Sequence, residues 1–188
     1  RCTSRGLGDV YKRQPWYEDF LATGERWEKR GKRMDEQITI LRGLMGGDYF
    51  GFKGDFYDIP DLKLCPVPSQ PVPILIGGHS KLALKRAAKL GDGWISAGIS
   101  LEETKEFIDQ INSYREEFGT LDHPNYQFQV MGEAAYSPDG VRALEDLGAT
   151  EVIVAFRNAY EGGPDERTLD SMKACLLYTS PSPRDVHL

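Results

Sequence analysis

The residues best suited to chemistry stand together in Pro73-Ile74-Leu75-Ile76-Gly77-Gly78-His79-Ser80, where an apolar run ends in two glycines just before a helix-forming stretch that begins near Lys81. That order suits an anion. Glycine lets a phosphate approach the backbone. The N–H groups of a helix's first turn have no internal acceptor, and the helix dipole favours negative charge at that end. Ser80 has two readings, as cap of the helix or as a hydroxyl donor to the phosphate, and neither takes precedence. By itself such a turn is weak evidence, because tight strand-to-helix turns want glycine whether or not they bind a ligand. His79 can reach a phosphate or a substrate, or can simply be solvated or packed, and is given no catalytic role.

Other reactive side chains are isolated. Asp92 is placed to cap a turn and Trp94 to fill the core. Arg30, Arg33 and Glu36 fall within two helical turns of one another and are expected to form no more than surface ion pairs. Cys65 has no metal-spaced partner, and His79 and His123 are too scattered for a zinc site, so no metal is expected. There is no nucleophile-elbow serine and no Walker loop. No catalytic acid or base can be named.

The elements that must position the Gly-Gly turn are legible in the apolar spacing. Met34, Ile38, Leu41 and Met45 predict one face of a helix ending at Gly46-Gly47. Tyr49 to Tyr57 reads as two short aromatic strands about Lys53-Gly54-Asp55, a hairpin. A connector with four prolines from Pro66 to Pro73 leads into Ile74-Leu75-Ile76, a continuous apolar run expected to be a parallel strand buried on both faces.

Leu84, Ala87 and Ala88 then mark a helix stopping at Gly91, and Gly93-Trp94-Ile95 a further strand. Ser100-Leu101-Glu102-Glu103 is a capping box for a helix with the stripe Phe107, Ile111, Tyr114, Phe118, closed by Gly119. Tyr126 to Ala135 is expected to be a strand, Ser137-Pro138 to open a short helix carrying Val141 and Leu144, Glu151 to Phe156 to be the last strand, and Thr168, Leu169 and Met172 to begin another helix. Alternating strands and helices predict a parallel α/β layout of four strand–helix units. A closed eightfold barrel needs about 250 residues, so the pattern amounts to half of one.

Both ends read differently. Asp9 to Gln14 and Cys175 to Ser180 can be encoded by one DNA element in opposite orientations, as in a sequencing adapter. Residues 1–14 and 175–188 are therefore expected to be non-native, leaving 15–174 as the partial domain. The whole sequence carries 23 Lys+Arg against 29 Asp+Glu, a net charge of −6, and the two ends hold five of those basic residues and two of the acidic ones. The interior is thus more acidic still. An acidic chain is unsuited to a phosphate backbone, so no nucleic-acid partner is expected. No apolar run approaches the roughly 18 residues of a membrane span, so no membrane partner is expected either. Cys65 is the only cysteine between the two ends, which favours a reducing, cytoplasmic setting.

Read in order, Arg30 to Glu36, Ile40 to Leu44, Phe52 to Tyr57, Pro66 to Pro73, Ile74 to Ser80 and Arg86 to Trp94 resemble the luciferase-like monooxygenase family, most closely its bacterial deazaflavin-dependent branch. The resemblance covers nearly all of 15–174. One departure is Met45-Gly46-Gly47, where relatives often carry a tryptophan and one glycine.

The family implies the C-terminal half of a (β/α)₈ TIM barrel with a β-hairpin insertion before the Gly-Gly strand. It further implies FMN or coenzyme F-420 (deazaflavin) as cofactor, gripped by Gly77, Gly78, His79 and Ser80. The activity implied is hydride transfer or oxygen activation on a small-molecule substrate, in a protein that is a homodimer when complete. A non-catalytic flavin-binding barrel and a phosphate-binding barrel enzyme of another class are the competing readings.

Overall fold

The computed structural model describes residues 17–154. Two helices lead, α1 (Tyr17–Thr23) and α2 (Arg30–Met45), followed by an antiparallel hairpin of β1 (Phe50–Lys53) and β2 (Asp58–Leu62). The α/β part runs β3 (Leu75–Gly77), α3 (Lys81–Leu90), β4 (Gly93–Ile95), α4 (Leu101–Phe118) and β5 (Gln127–Met131). A 3-10 turn (Glu133–Tyr136), α5 (Pro138–Asp146) and β6 (Glu151–Ile153) complete it. The expected helix near Thr168 to Met172 and the two adapter-like ends lie outside the described residues.

Strands β3, β4, β5 and β6 form one parallel sheet in sequence order, with Ile76 opposite Trp94, Trp94 opposite Phe128, and Val130 opposite Val152. Successive strand residues face opposite sides, and these paired residues face the helices. Ile76, Trp94 and Phe128 join Leu84, Ala87, Ala88, Ile108, Ile111 and Tyr126 in one core, with Ile38 of α2 beneath. The alternate residues Leu75, Ile95, Met131 and Ile153 are only half-buried. This corrects the expectation of a strand buried on both faces at Ile74-Leu75-Ile76: the described helices cover one face only, and the sheet is open rather than closed.

Local chemistry fixes the helix ends. Ser80, Ser100 and Ser137 cap α3, α4 and α5 by accepting the N–H groups of Ala83, Glu103 and Gly140, and the Ser100/Glu103 capping box is complete. Gly119 closes α4 in the left-handed region, at φ 68°.

Three further expectations need correction. In α2 the buried residues are Ile38 and Ile40, whereas Met34 and Leu41 are 44% and 51% exposed. The inward face is chosen by the spacing of Asp35, Ile38 and Arg42, because Asp35 pairs with Arg86 and Arg42 with Asp92. The hairpin exists, but its second strand starts at Asp58; Phe56 and Tyr57 belong to the turn, held by the carboxylate of Glu36. The predicted strand Tyr126 to Ala135 ends at Met131. Gly132 passes against the Ile99 carbonyl, where no Cβ would fit, and the chain then turns into the 3-10 segment.

Candidate functional site

The Gly-Gly turn sits at the C-terminal end of β3, the end from which parallel α/β sheets present their ligand sites. Its two glycines are not equivalent. Gly78 has φ +112°, a region an L side chain rarely adopts, and a Cβ there would stand 3.0 Å from that of Ala83. A Cβ on Gly77 would make only ordinary contacts with Ile95, 3.5 Å from its side chain and 3.9 Å from its carbonyl oxygen. Gly78 is thus required by the backbone, and Gly77 by nothing in the described residues. Gly77, Gly78 and Ser80 are exposed and His79 is half-buried.

Ser80 acts as the N-cap of α3, its Oγ accepting from Ala83 N at 3.2 Å while its carbonyl accepts from Leu84 N at 3.0 Å. Its hydroxyl proton remains available to a second acceptor, so the two readings of Ser80 are compatible. The N–H groups of Lys81 and Leu82 are those an α-helix leaves without an internal acceptor. A turn backed by such donors fits a phosphate. His79 is packed: its ring stacks on Phe107 at 5.1 Å, lies edge-on to Trp94 at 6.0 Å, and its Nε2 accepts from Ala97 N at 3.5 Å. Trp94 is fully buried, as expected of a core residue, and its Nε1 donates to the Gly78 carbonyl at 3.0 Å.

Asp92 lies at the opposite end of the sheet and does more than cap a turn. Its Oδ2 accepts from Ile74 N at 2.7 Å and from Arg42 Nη2 at 2.8 Å, and its Oδ1 lies 3.3 Å from His123 Nε2. Arg42 also donates to Leu90 O at 2.9 Å. One carboxylate thereby ties α2, the start of β3 and the loop before β5. It sits at the N-terminal end of the strands, where residues of parallel α/β folds serve stability. Nearby Tyr126 is buried and its hydroxyl has no partner among the described residues. Burial raises its pKa above the ordinary tyrosine value, against the opposing pull of the Arg115 guanidinium 3.9 Å from the ring.

Arg30, Arg33 and Glu36 do not pair with one another. Arg30 stacks on Trp27 at 3.7 Å, Arg33 donates to the Arg26 carbonyl, and Glu36 accepts from the backbone N–H groups of Asp55, Phe56 and Tyr57 at 2.7, 3.1 and 3.1 Å. Sequence reasoning missed the three bonds of Glu36 because they join residues about twenty positions apart. The need of a buried indole N–H for an acceptor was a readable signal for Trp94. Cys65 is exposed, and among the described residues no cluster of His, Cys, Asp or Glu could hold a metal ion.

Two clefts, of about 420 Å³ between α2 and α3 and about 400 Å³ beside Arg42, Asp92 and His123, contain none of the turn residues. Neither cleft therefore coincides with the turn.

The described residues form a parallel α/β sheet with a glycine turn at the C-terminal end of its first strand, an arrangement that many α/β folds share. The chain belongs to the luciferase-like monooxygenase family, whose pattern matches residues 13–171. It is similar to an uncharacterized protein of Mycobacterium tuberculosis, 46% identical over 157 residues that cover 84% of this chain and 54% of that protein. An FMNH(2)-dependent dimethylsulfone monooxygenase of Pseudomonas fluorescens is 36% identical over 102 residues, covering 52% of this chain and 28% of the monooxygenase. An F-420-dependent glucose-6-phosphate dehydrogenase of Tsukamurella paurometabola is 26% identical over 142 residues, covering 75% and 42%. The chain spans about half the length, or less, of these curated relatives. No helix among the described residues is long and apolar enough to cross a membrane.

Proposed function

We propose that residues 15–174 are the C-terminal half of a (β/α)₈ barrel oxidoreductase that binds FMN or coenzyme F-420 and acts on a small organic substrate in the cytoplasm. In this reading the two adapter-like ends are not part of the native protein, and the complete protein is a homodimer. The observation that carries the cofactor reading is the Gly78 turn: a positive-φ glycine at the mouth end of a parallel strand, followed directly by the Ser80-capped helix α3.

Family membership supports a redox role, and relatives named for FMNH(2) and for F-420 support either cofactor. When bound, such a group supplies the hydride or the oxygen chemistry. The chain's own contribution is to hold its phosphate on the backbone of Gly77 and Gly78, the His79 N–H and the Ser80 hydroxyl. No acid or base is assigned among the described residues.

The test uses the full-length protein. Gly78→Val forces a side chain into a positive-φ position against Ala83 and into the space of the phosphate. Binding of FMN or coenzyme F-420 should weaken about tenfold or more, since one charge-assisted hydrogen bond is worth about 1.5–3 kcal/mol. Ser80→Ala should cost less, because the helix N–H groups remain. If the wild type changes neither the fluorescence of FMN nor that of coenzyme F-420, the oxidoreductase reading fails. If Gly78→Val weakens riboflavin as much as FMN in an FMN-binding protein, the turn is structural and the phosphate lies elsewhere.

A further inference from the structure

We infer that Trp94 is the positioning residue of the Gly78 turn, its buried indole fixing the Gly78–His79 peptide so that the His79 N–H is presented to the anion; this rests on the phosphate reading above. The indole Nε1 donates to the Gly78 carbonyl at 3.0 Å from a ring that is fully buried. A trans peptide is planar, with its C=O and N–H on opposite edges. Holding the Gly78 carbonyl inward against Trp94 therefore points the His79 N–H away from the core, toward the open side on which Gly77, Gly78 and Ser80 are exposed.

Glycine alone does not supply this. A residue without Cβ gives the peptide plane freedom to rotate, and an anion site works through donors already aimed before the ligand arrives. The indole removes that freedom from below, while the stacking of His79 on Phe107 holds the next residue in place. Any large apolar side chain would fill the same part of the core, but only tryptophan among them carries an N–H, and that N–H donates without accepting. The sequence separation of Gly78 and Trp94 is bridged by the parallel pairing of β3 with β4, which sets Ile76 opposite Trp94 and so brings the indole beneath the turn.

Trp94→Phe in the full-length protein keeps an aromatic ring in the core and removes the donor. Affinities are measured by fluorescence titration for FMN against riboflavin, and for coenzyme F-420 against its phosphate-free deazaflavin core. For the pair the wild type binds, the phosphorylated member should lose about tenfold or more in the variant and the phosphate-free member less than about twofold. Equal losses for both members, or no loss for either, would overturn the positioning role and leave Trp94 a core residue. A wild type that does not distinguish the members of the pair overturns the phosphate reading itself, which separates the two failures. Should Trp94→Phe not fold, the indole N–H resonance of the ¹⁵N-labelled wild type decides. It is expected to shift on adding the phosphorylated compound and to stay in place with the phosphate-free one, and an identical response to both refutes the inference.

Discussion

Replacing Asp92 by alanine removes one carboxylate from three elements at once, and the cost can be worked from its contacts. The side chain is 13% exposed and accepts from Ile74 N at 2.7 Å and from Arg42 at 2.8 Å. A hydrogen bond from a backbone N–H to a charged acceptor is worth about 1.5–3 kcal/mol, and leaving that N–H without an acceptor falls in the same range. The Arg42 pair adds less, because its guanidinium is 42% exposed and a solvent-screened pair contributes no more than about 1 kcal/mol. Asp92→Ala should therefore destabilise the full-length protein by about 2–4 kcal/mol, lowering Tm by roughly 3–7 °C. Asp92→Asn keeps one acceptor oxygen and loses the charge, so about half of that loss is expected.

Arg42→Ala, which sacrifices only the screened pair and one bond to the Leu90 carbonyl, should cost about 1 kcal/mol. Thermal unfolding of the three variants gives the order, and hydrogen exchange at the Ile74 amide gives the local effect, since its protection should fall with Asp92→Ala and persist in Arg42→Ala. An Asp92→Ala protein within about 0.5 kcal/mol of wild type, the range of ordinary surface changes, would refute the reasoning. So would an Ile74 amide that exchanges no faster.

The hairpin turn gives a second test: Glu36→Ala should strip protection from the Asp55, Phe56 and Tyr57 amides, read by hydrogen exchange. Gly54→Ala should reproduce that effect, because a Cβ at Gly54 would come within 2.5 Å of the Glu36 carboxylate. Tyr126 predicts an alkaline limit. Burial raises its folded pKa above the ordinary value of 10.0, so the folded state keeps a proton that the unfolded chain releases; the stability this group contributes is intact below about pH 10 and falls above it. Tyr126→Phe should flatten that fall in a denaturant series at pH 9 to 11. Among the described residues, nothing pairs with either sheet edge and no helix covers the second face, so the chain expressed alone should self-associate in light scattering; a monodisperse, cooperatively unfolding monomer would contradict the half-barrel reading.

Much of this protein is local and was legible without coordinates. The capping box at Ser100, the glycine stop at Gly119, the small-residue stripe of α3 and the apolar bursts at Ile76 and Trp94 each report a requirement met within one element, by a cap, a left-handed turn or a buried face. The Gly-Gly turn and its helix are legible for the same reason, since strand, turn and first helical turn are contiguous. Family membership follows from the order of these segments.

The tertiary structure decided what depends on residues far apart in sequence. Which face of α2 turns inward was set by the partners of Asp35 and Arg42, about fifty positions away, and the apolar stripe alone mis-stated it. Phe56 and Tyr57 were drawn out of a strand by the carboxylate of Glu36, and the strand from Gln127 stopped at Met131 because Gly132 must pass the Ile99 carbonyl. That only Gly78 of the two glycines is indispensable, and that the Trp94 indole holds its carbonyl, follows from the lateral pairing of β3 with β4. Local sequence encodes dihedral preferences and burial faces; pairing between strands and hydrogen bonds to side chains dozens of residues away are set only when the chain closes on itself.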